Sequence, residues 1–138
     1  MIRPEVSGGL GDDAVLDHSS GVPVVTHLHY EAADWLGDCI VTAAGEHMVV
    51  PKTAARLQEA GFRSFRLADV QVTKHDQFEL FNPGVELPEF RWLVVDGTPG
   101  VDDLGADRIG RLVVSEAALE LLRADGLNHA DVTEWQPE

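Results

Sequence analysis

Apolar residues fall into short runs, separated by stretches rich in glycine, proline and acids, and each run carries its own period. From Lys52 to Ala60, Ala54, Leu57 and Ala60 stand at i, i+3 and i+6. That is helical spacing, and Gly61 follows where a helix commonly ends. Met48-Val49-Val50, just before it, reads as a strand. Phe62 to Thr73 places Phe65, Leu67, Val70 and Val72 as one strand, or as two broken at Ala68-Asp69. Val22 to Tyr30 is β-branched and aromatic and predicts a strand. Ala32 to Leu36 predicts a helical turn ended by Gly37, and Cys39 to Thr42 a short apolar segment. Lys74 to Pro88 is turn-rich around Asn82-Pro83-Gly84. Phe90 to Val95 is a strand, and Val101 to Ile109 an acidic loop with one turn of helix. Leu112-Val113-Val114 is a strand. Ser115 then caps a helix running through Ala124, with Glu116 and Glu120 early and Arg123 late, as the helix dipole favours. Asp125-Gly126 stops it, and Leu127 to Trp135 predicts the last strand. Residues 1–20 read as an irregular lead-in with one short strand around Ala14–Leu16.

Two of these units share a spacing. Met48-Val49-Val50-Pro51 aligns with Leu112-Val113-Val114-Ser115 at an offset of 64, and Leu57 with Leu121 and Ala60 with Ala124 at the same offset. Gly61-Phe62 aligns with Gly126-Leu127 at 65, one insertion later. Both copies read strand, helix, glycine stop, strand. Taken as a true repeat or as two instances of a common unit, they predict the same class. It is an α+β single domain over 1–138, with a mostly antiparallel or mixed sheet and two helices from the repeated unit.

Composition narrows the function. The chain has 138 residues, with 44% hydrophobic and 25% charged, an ordinary globular balance. Its charge is not ordinary: ten Lys+Arg against 24 Asp+Glu leave −14. Nucleic acid and anionic membrane would be repelled, and a basic protein attracted. The single cysteine, Cys39, has no internal disulfide partner, which points to a reducing compartment. No apolar run approaches the ~20 residues of a membrane helix. No basic n-region leads into an apolar run at the N-terminus. A cytoplasmic location is expected.

Candidate chemistry thins out on inspection. His27, His29 and Glu31 alternate onto one strand face and could hold a metal, yet no second paired element supplies the remaining ligands. His18, His47, His75 and His129 are isolated, and no HExxH occurs. Cys39 lies among apolar and acidic neighbours that would raise its pKa, as in a structural thiol. Ser115 lacks the flanks of a nucleophile elbow, and its capping role already explains it. Gly8-Gly9-Leu10-Gly11 lacks a phosphate-loop lysine and runs into Asp12-Asp13. The spacing of Asp12, Asp13 and Asp17 does not fit a calcium loop. No metal, cofactor or catalytic residue is assigned.

The charge is uneven. Residues 1–47 carry eight acids and one base, residues 48–80 four acids and five bases, and residues 81–138 twelve acids and four bases. Acids on loops are the natural docking points for a cationic partner, here Glu86 and Glu89 beside the turn and Asp102, Asp103 and Asp107 in the acidic loop. Trp35, Trp92 and Trp135 each lie in apolar runs and are expected in the core.

The segment Leu112-Val113-Val114-Ser115-Glu116-Ala117, with Leu121-Leu122 and Gly126-Leu127, resembles the closing element of bacterial immunity-protein families from polymorphic toxin systems. Among these is the group bearing a double CxxCG motif. Trp35-Leu36-Gly37-Asp38 leading into Met48-Val49-Val50-Pro51 is similar to the start of the same arrangement. The chain departs from the double-CxxCG members, having Cys39 alone, so no metal role carries over. The resemblance implies a non-enzymatic protein that binds a cognate toxin domain and occludes its active-site cleft. That toxin would be basic, an enzyme with an anionic substrate such as a nuclease. Two other expectations stand beside it: a small metal-dependent enzyme on the His27/His29 face, and a non-catalytic regulatory adaptor.

Overall fold

A computed structural model of the chain describes residues 1–6, 8–19, 21 and 24–136. Its strands are β1 (Ile2–Arg3), β2 (Gly8–Leu10), β3 (Val15–Asp17), β4 (Val24–His27), β5 (His29–Ala32), β6 (Ile40–Ala43) and β7 (Glu46–Val49). They continue as β8 (Phe65–Asp69), β9 (Gln71–Lys74), β10 (Arg91–Val95), β11 (Leu104–Ala106), β12 (Leu112–Val114) and β13 (Asp131–Val132). The helices are α1 (Pro51–Glu59), α2 (Asp76–Phe81) and α3 (Glu116–Gly126). The class is α+β. No helix among the described residues is long and apolar enough to cross a membrane.

The repeat is real at the level of topology. One sheet has the order β6-β7-β10-β8 and another β11-β12-β1-β13, and every adjacent pair in both is antiparallel. In each, a hairpin leads into a helix. The strand after that helix returns parallel to the second hairpin strand, one position away, and a strand from elsewhere fills the gap. Trp92 of β10 pairs with Met48 and Ala68, and Ile2 of β1 pairs with Leu112 and Val132. Both sets of partners differ by 64, the spacing visible in the sequence. The inserted strand of each sheet belongs to the other half of the chain, so the halves are interlocked.

Local chemistry explains the repeated parts. Pro51 opens α1, where its missing N–H is one the helix would leave unpaired anyway. Ser115 caps α3, its Oγ accepting from the Ala118 N–H at 3.2 Å. The hairpin between β6 and β7 turns on Ala44-Gly45, both at positive φ (51° and 80°), the geometry that matches strand twist. α1 and α3 pack together through Ala54, Leu57, Ala118 and Leu122. Asp125 joins them, taking the Thr53 hydroxyl at 2.7 Å and pairing with Arg56.

The sheet β6-β7-β10-β8 is buried on both faces. Ile40, Val49 and Leu93 face the α1–α3 core, and their neighbours Val41, Met48 and Trp92 face a second core with Leu28, Tyr30, Phe78 and Phe90. Two-sided burial accounts for the continuous apolar runs Met48-Val49-Val50 and Leu93-Val94-Val95. The second core is closed by the three-stranded sheet β2-β5-β9, whose β5–β9 pair is parallel.

Several expectations are corrected. The repeated unit supplies two helices, α1 and α3, as expected, and among the described residues a third, α2, stands outside it. α2 lies in the segment expected to be turns, capped by His75 and burying Phe78 alone. The acidic loop contains β11, whose Leu104 is fully buried. The strand expected over Val22 to Tyr30 is two strands in different sheets, broken at Leu28; residues 22 and 23 lie outside the described residues. The turn expected over Ala32 to Leu36 is no helix. The final strand is confined to Asp131–Val132. Within the lead-in, β1 and β2 are paired strands besides the β3 expected near Ala14–Leu16.

Candidate functional site

The N-terminus of α3 and the acidic segment before it are held by one set of bonds. Ser115 Oγ donates to Asp103 Oδ1 at 2.7 Å, and the Ser115 N–H donates to the Asp103 carbonyl at 2.8 Å. Asp102 Oδ2 accepts the Thr98 N–H at 2.7 Å. This places Asp102 and Asp103 on the rim of an open concavity of about 650 Å³. Glu116, exposed in the first turn of α3, and Glu134, exposed after β13, complete the acidic lining. Among the described residues no Lys or Arg side chain lines it; the Met1 ammonium stands at its edge and donates to the Thr133 carbonyl at 2.7 Å. Trp135, half-buried, lies against Gly100, where a Cβ would meet its ring. Val101 beside it is 79% exposed. The arrangement suits a cationic side chain: carboxylates for charge-assisted hydrogen bonds, an aromatic face for a guanidinium, and apolar surface for its stem.

The other acids singled out in the sequence lie elsewhere. Asp107 lines an adjoining hollow with Arg108 and Arg111, and Glu134 and Trp135 line that hollow as well. It accepts the Arg111 side chain at 2.6 Å and the N–H groups of Ile109 and Arg111. Burial opposes its charge, but these donors prevail and hold its carboxyl below the ordinary range. Glu86 and Glu89 line a separate groove of about 700 Å³ that also contains Lys74 and Arg91, so its charge is mixed. The structure thus brings Asp102 and Asp103 together and leaves Asp107, Glu86 and Glu89 apart. Glu116 and Glu134 join the first pair without any local mark of it, because Glu116 reads simply as a helix-dipole acid and Glu134 as a tail residue.

Both ring nitrogens of the buried His29 are engaged: Nδ1 accepts the Asp13 N–H at 3.1 Å and Nε2 meets the Thr73 hydroxyl at 2.7 Å. His27 is exposed and bonds Gln71 at 2.9 Å. With the break at Leu28, His27, His29 and Glu31 do not form a donor set. Cys39 is buried and donates to the Leu122 carbonyl at 3.4 Å; burial pushes its thiol up, as a structural thiol requires. Trp92 is in the second core, with its Nε1–H on Glu46, and Trp35 packs edge-on against Phe90. Trp135 is the tryptophan that leaves the core for the concavity.

One group of three metal-type donors converges among the described residues: Glu5, Asp38 and His129. Asp38, fully buried, holds the segment after α3 by accepting the N–H groups of Asn128 (3.1 Å) and His129 (2.7 Å) and the His129 ring at 2.8 Å. Glu5 accepts the Leu36 N–H at 2.7 Å. Burial pushes the Glu5 carboxyl up; the Leu36 bond resists, and the charge of Asp38 adds to the rise.

No protein-family model, curated protein or solved structure matches the chain.

Proposed function

We propose that the protein is a toxin-neutralising immunity protein, without catalytic activity of its own, that binds a basic toxin domain in the cytoplasm and blocks its substrate cleft. The observation that carries this reading is the concavity whose lining joins Asp102, Asp103, Glu116 and Glu134 to Trp135 and, among the described residues, includes no lysine or arginine side chain; Arg108 and Arg111 lie on the adjoining hollow that Glu134 and Trp135 share. A cleft built for an anionic substrate displays arginines and lysines. The carboxylates of that concavity, with Asp102 and Asp103 held by Thr98 and Ser115, stand in for that substrate. The field of a −14 protein steers such a partner in, raising association rates about 10–10³-fold, while Trp135 and Val101 supply the desolvated anchor that slows release. Protection of a cell against its own toxin calls for nanomolar binding or tighter, about −12 kcal/mol. Cys39 stays a buried thiol in that compartment.

The test is calorimetry against the toxin domain encoded beside this protein's gene. Nanomolar binding is expected in wild type, and a loss of about 10–100-fold in the double reversal Glu116→Lys/Glu134→Lys, mostly in association rate and diminished by salt. Undetectable binding, or binding indifferent to both reversals, overturns the reading.

A further inference from the structure

Three donors from distant parts of the chain meet where the link between β1 and β2, the loop before β6 and the segment after α3 come together. The ligating atoms of Glu5, Asp38 and His129 all lie within 4.8 Å of one another. Both carboxylate oxygens of Asp38 are accounted for by the bonds to Asn128 and His129. Glu5 is not so provided. It is 5% exposed, its Oε1 takes the Leu36 N–H, and its Oε2 is buried with no hydrogen-bond partner. A buried carboxylate oxygen beside a second carboxylate needs positive charge in its place. The latch formed by Asp38 explains the position of His129 without any ion, but it leaves Glu5 Oε2 unexplained.

We infer that Glu5, Asp38 and His129 form a binding site for a divalent first-row transition-metal cation, zinc being the best fit. Two carboxylate oxygens and one imidazole nitrogen are a borderline donor set that suits zinc or manganese better than calcium or magnesium, which prefer oxygen alone. Donors about 2.0–2.2 Å from one ion stand roughly 3–4 Å apart, which small side-chain shifts reach from the observed spacing. The His129 side chain is 42% exposed, which gives the ion a route in from solvent. Three protein ligands leave the remaining coordination to water. A bound ion would clamp the N-terminal strand, the loop before β6 and the C-terminal segment to one another, and so stabilise the folded chain. This inference does not depend on a toxin partner.

The full-length protein, freed of metal by chelator and dialysed at neutral pH, is titrated calorimetrically with zinc chloride and, separately, manganese chloride. One equivalent of zinc is expected to bind and to raise the melting temperature. His129→Gln and Glu5→Gln should each weaken binding by about tenfold or more, while His18→Gln, on an exposed residue outside the site, should bind as wild type does. Circular dichroism checks that each variant is folded; should Glu5→Gln unfold, the exposed His129 position still carries the test. Absence of stoichiometric zinc binding, or binding that His129→Gln leaves unchanged, overturns the assignment and leaves a proton as the charge that Glu5 Oε2 shares.

Discussion

His47 shows how a single buried ring sets a pH response. It is 7% exposed, its Nε2–H donates to the Gly110 carbonyl at 3.3 Å, and its Nδ1 is buried with no hydrogen-bond partner. Burial pushes the imidazole below its ordinary 6.5, with the Gly110 bond resisting. Between the folded value and 6.5 the unfolded chain binds more protons, so stability rises with pH there. The contribution is complete above about pH 6.5 and is lost as pH falls from that point toward the folded value. Glu46, next to it, has the opposite sign: burial holds its carboxyl above 4.5 against the Trp92 bond, and acidification favours the folded state. In urea unfolding, His47→Gln should lose less stability than wild type between pH 7 and pH 5, because the comparison cancels every other titration. Equal slopes for the two proteins would show that His47 does not control the acid limb. The histidine was legible in the sequence as a residue, but its burial was not, since that depends on Gly110, 63 positions away.

The strand-helix-strand units of α1 and α3 were readable because everything that makes them is local: helical spacing, Pro51, Ser115 and the glycines that follow. The elements that escaped have no such local cause. α2 is six residues long, buries Phe78, and leaves Leu80 (79%) and Phe81 (66%) exposed, so no helical period is written in it. β11 is recognised by its partner β12, not by its own Leu-Gly-Ala. The expected last strand shortens because Asp38 takes the N–H groups of Asn128 and His129 that a ladder would use. β1 is the clearest case. Two residues long, it completes a sheet only because Ile2 seats between Leu112 and Val132, 1% exposed. Ile2→Ala should cost about 2–4 kcal/mol in urea unfolding, as for a fully buried aliphatic residue. A loss well under 1 kcal/mol would mean that the second sheet holds without its inserted strand.

A charge of −14 spread over 7828 Å² makes the folded chain repel itself. Exposed charges are screened over about 10 Å at 0.1 M salt. Raising sodium chloride to about 0.3 M in the presence of chelator should therefore lift the melting temperature by a few degrees, equivalent to about 1 kcal/mol. A melting temperature that stays level or falls with salt would show that the acids are compensated internally. Asp107 is compensated in that way, by Arg111, and Glu134 shares its hollow with Arg108 and Arg111, whereas among the described residues no Lys or Arg side chain lines the concavity of Asp102, Asp103 and Glu116. The same field that loads the fold is what would draw a basic partner to it.

The α+β class, the doubled unit at a spacing of 64, the capped helix and the acidic excess can all be read along the chain, because propensity, capping and charge act over a few neighbouring positions or over none. The exchange of inserted strands between the two sheets, the gathering of Asp102, Asp103, Glu116 and Glu134 around Trp135, and the meeting of Glu5, Asp38 and His129 belong to the folded molecule alone. Each depends on which surfaces pack together across long stretches of chain, as in the 91-residue span from Asp38 to His129. Burial and convergence of that kind follow from where the cores close, and no local period encodes it.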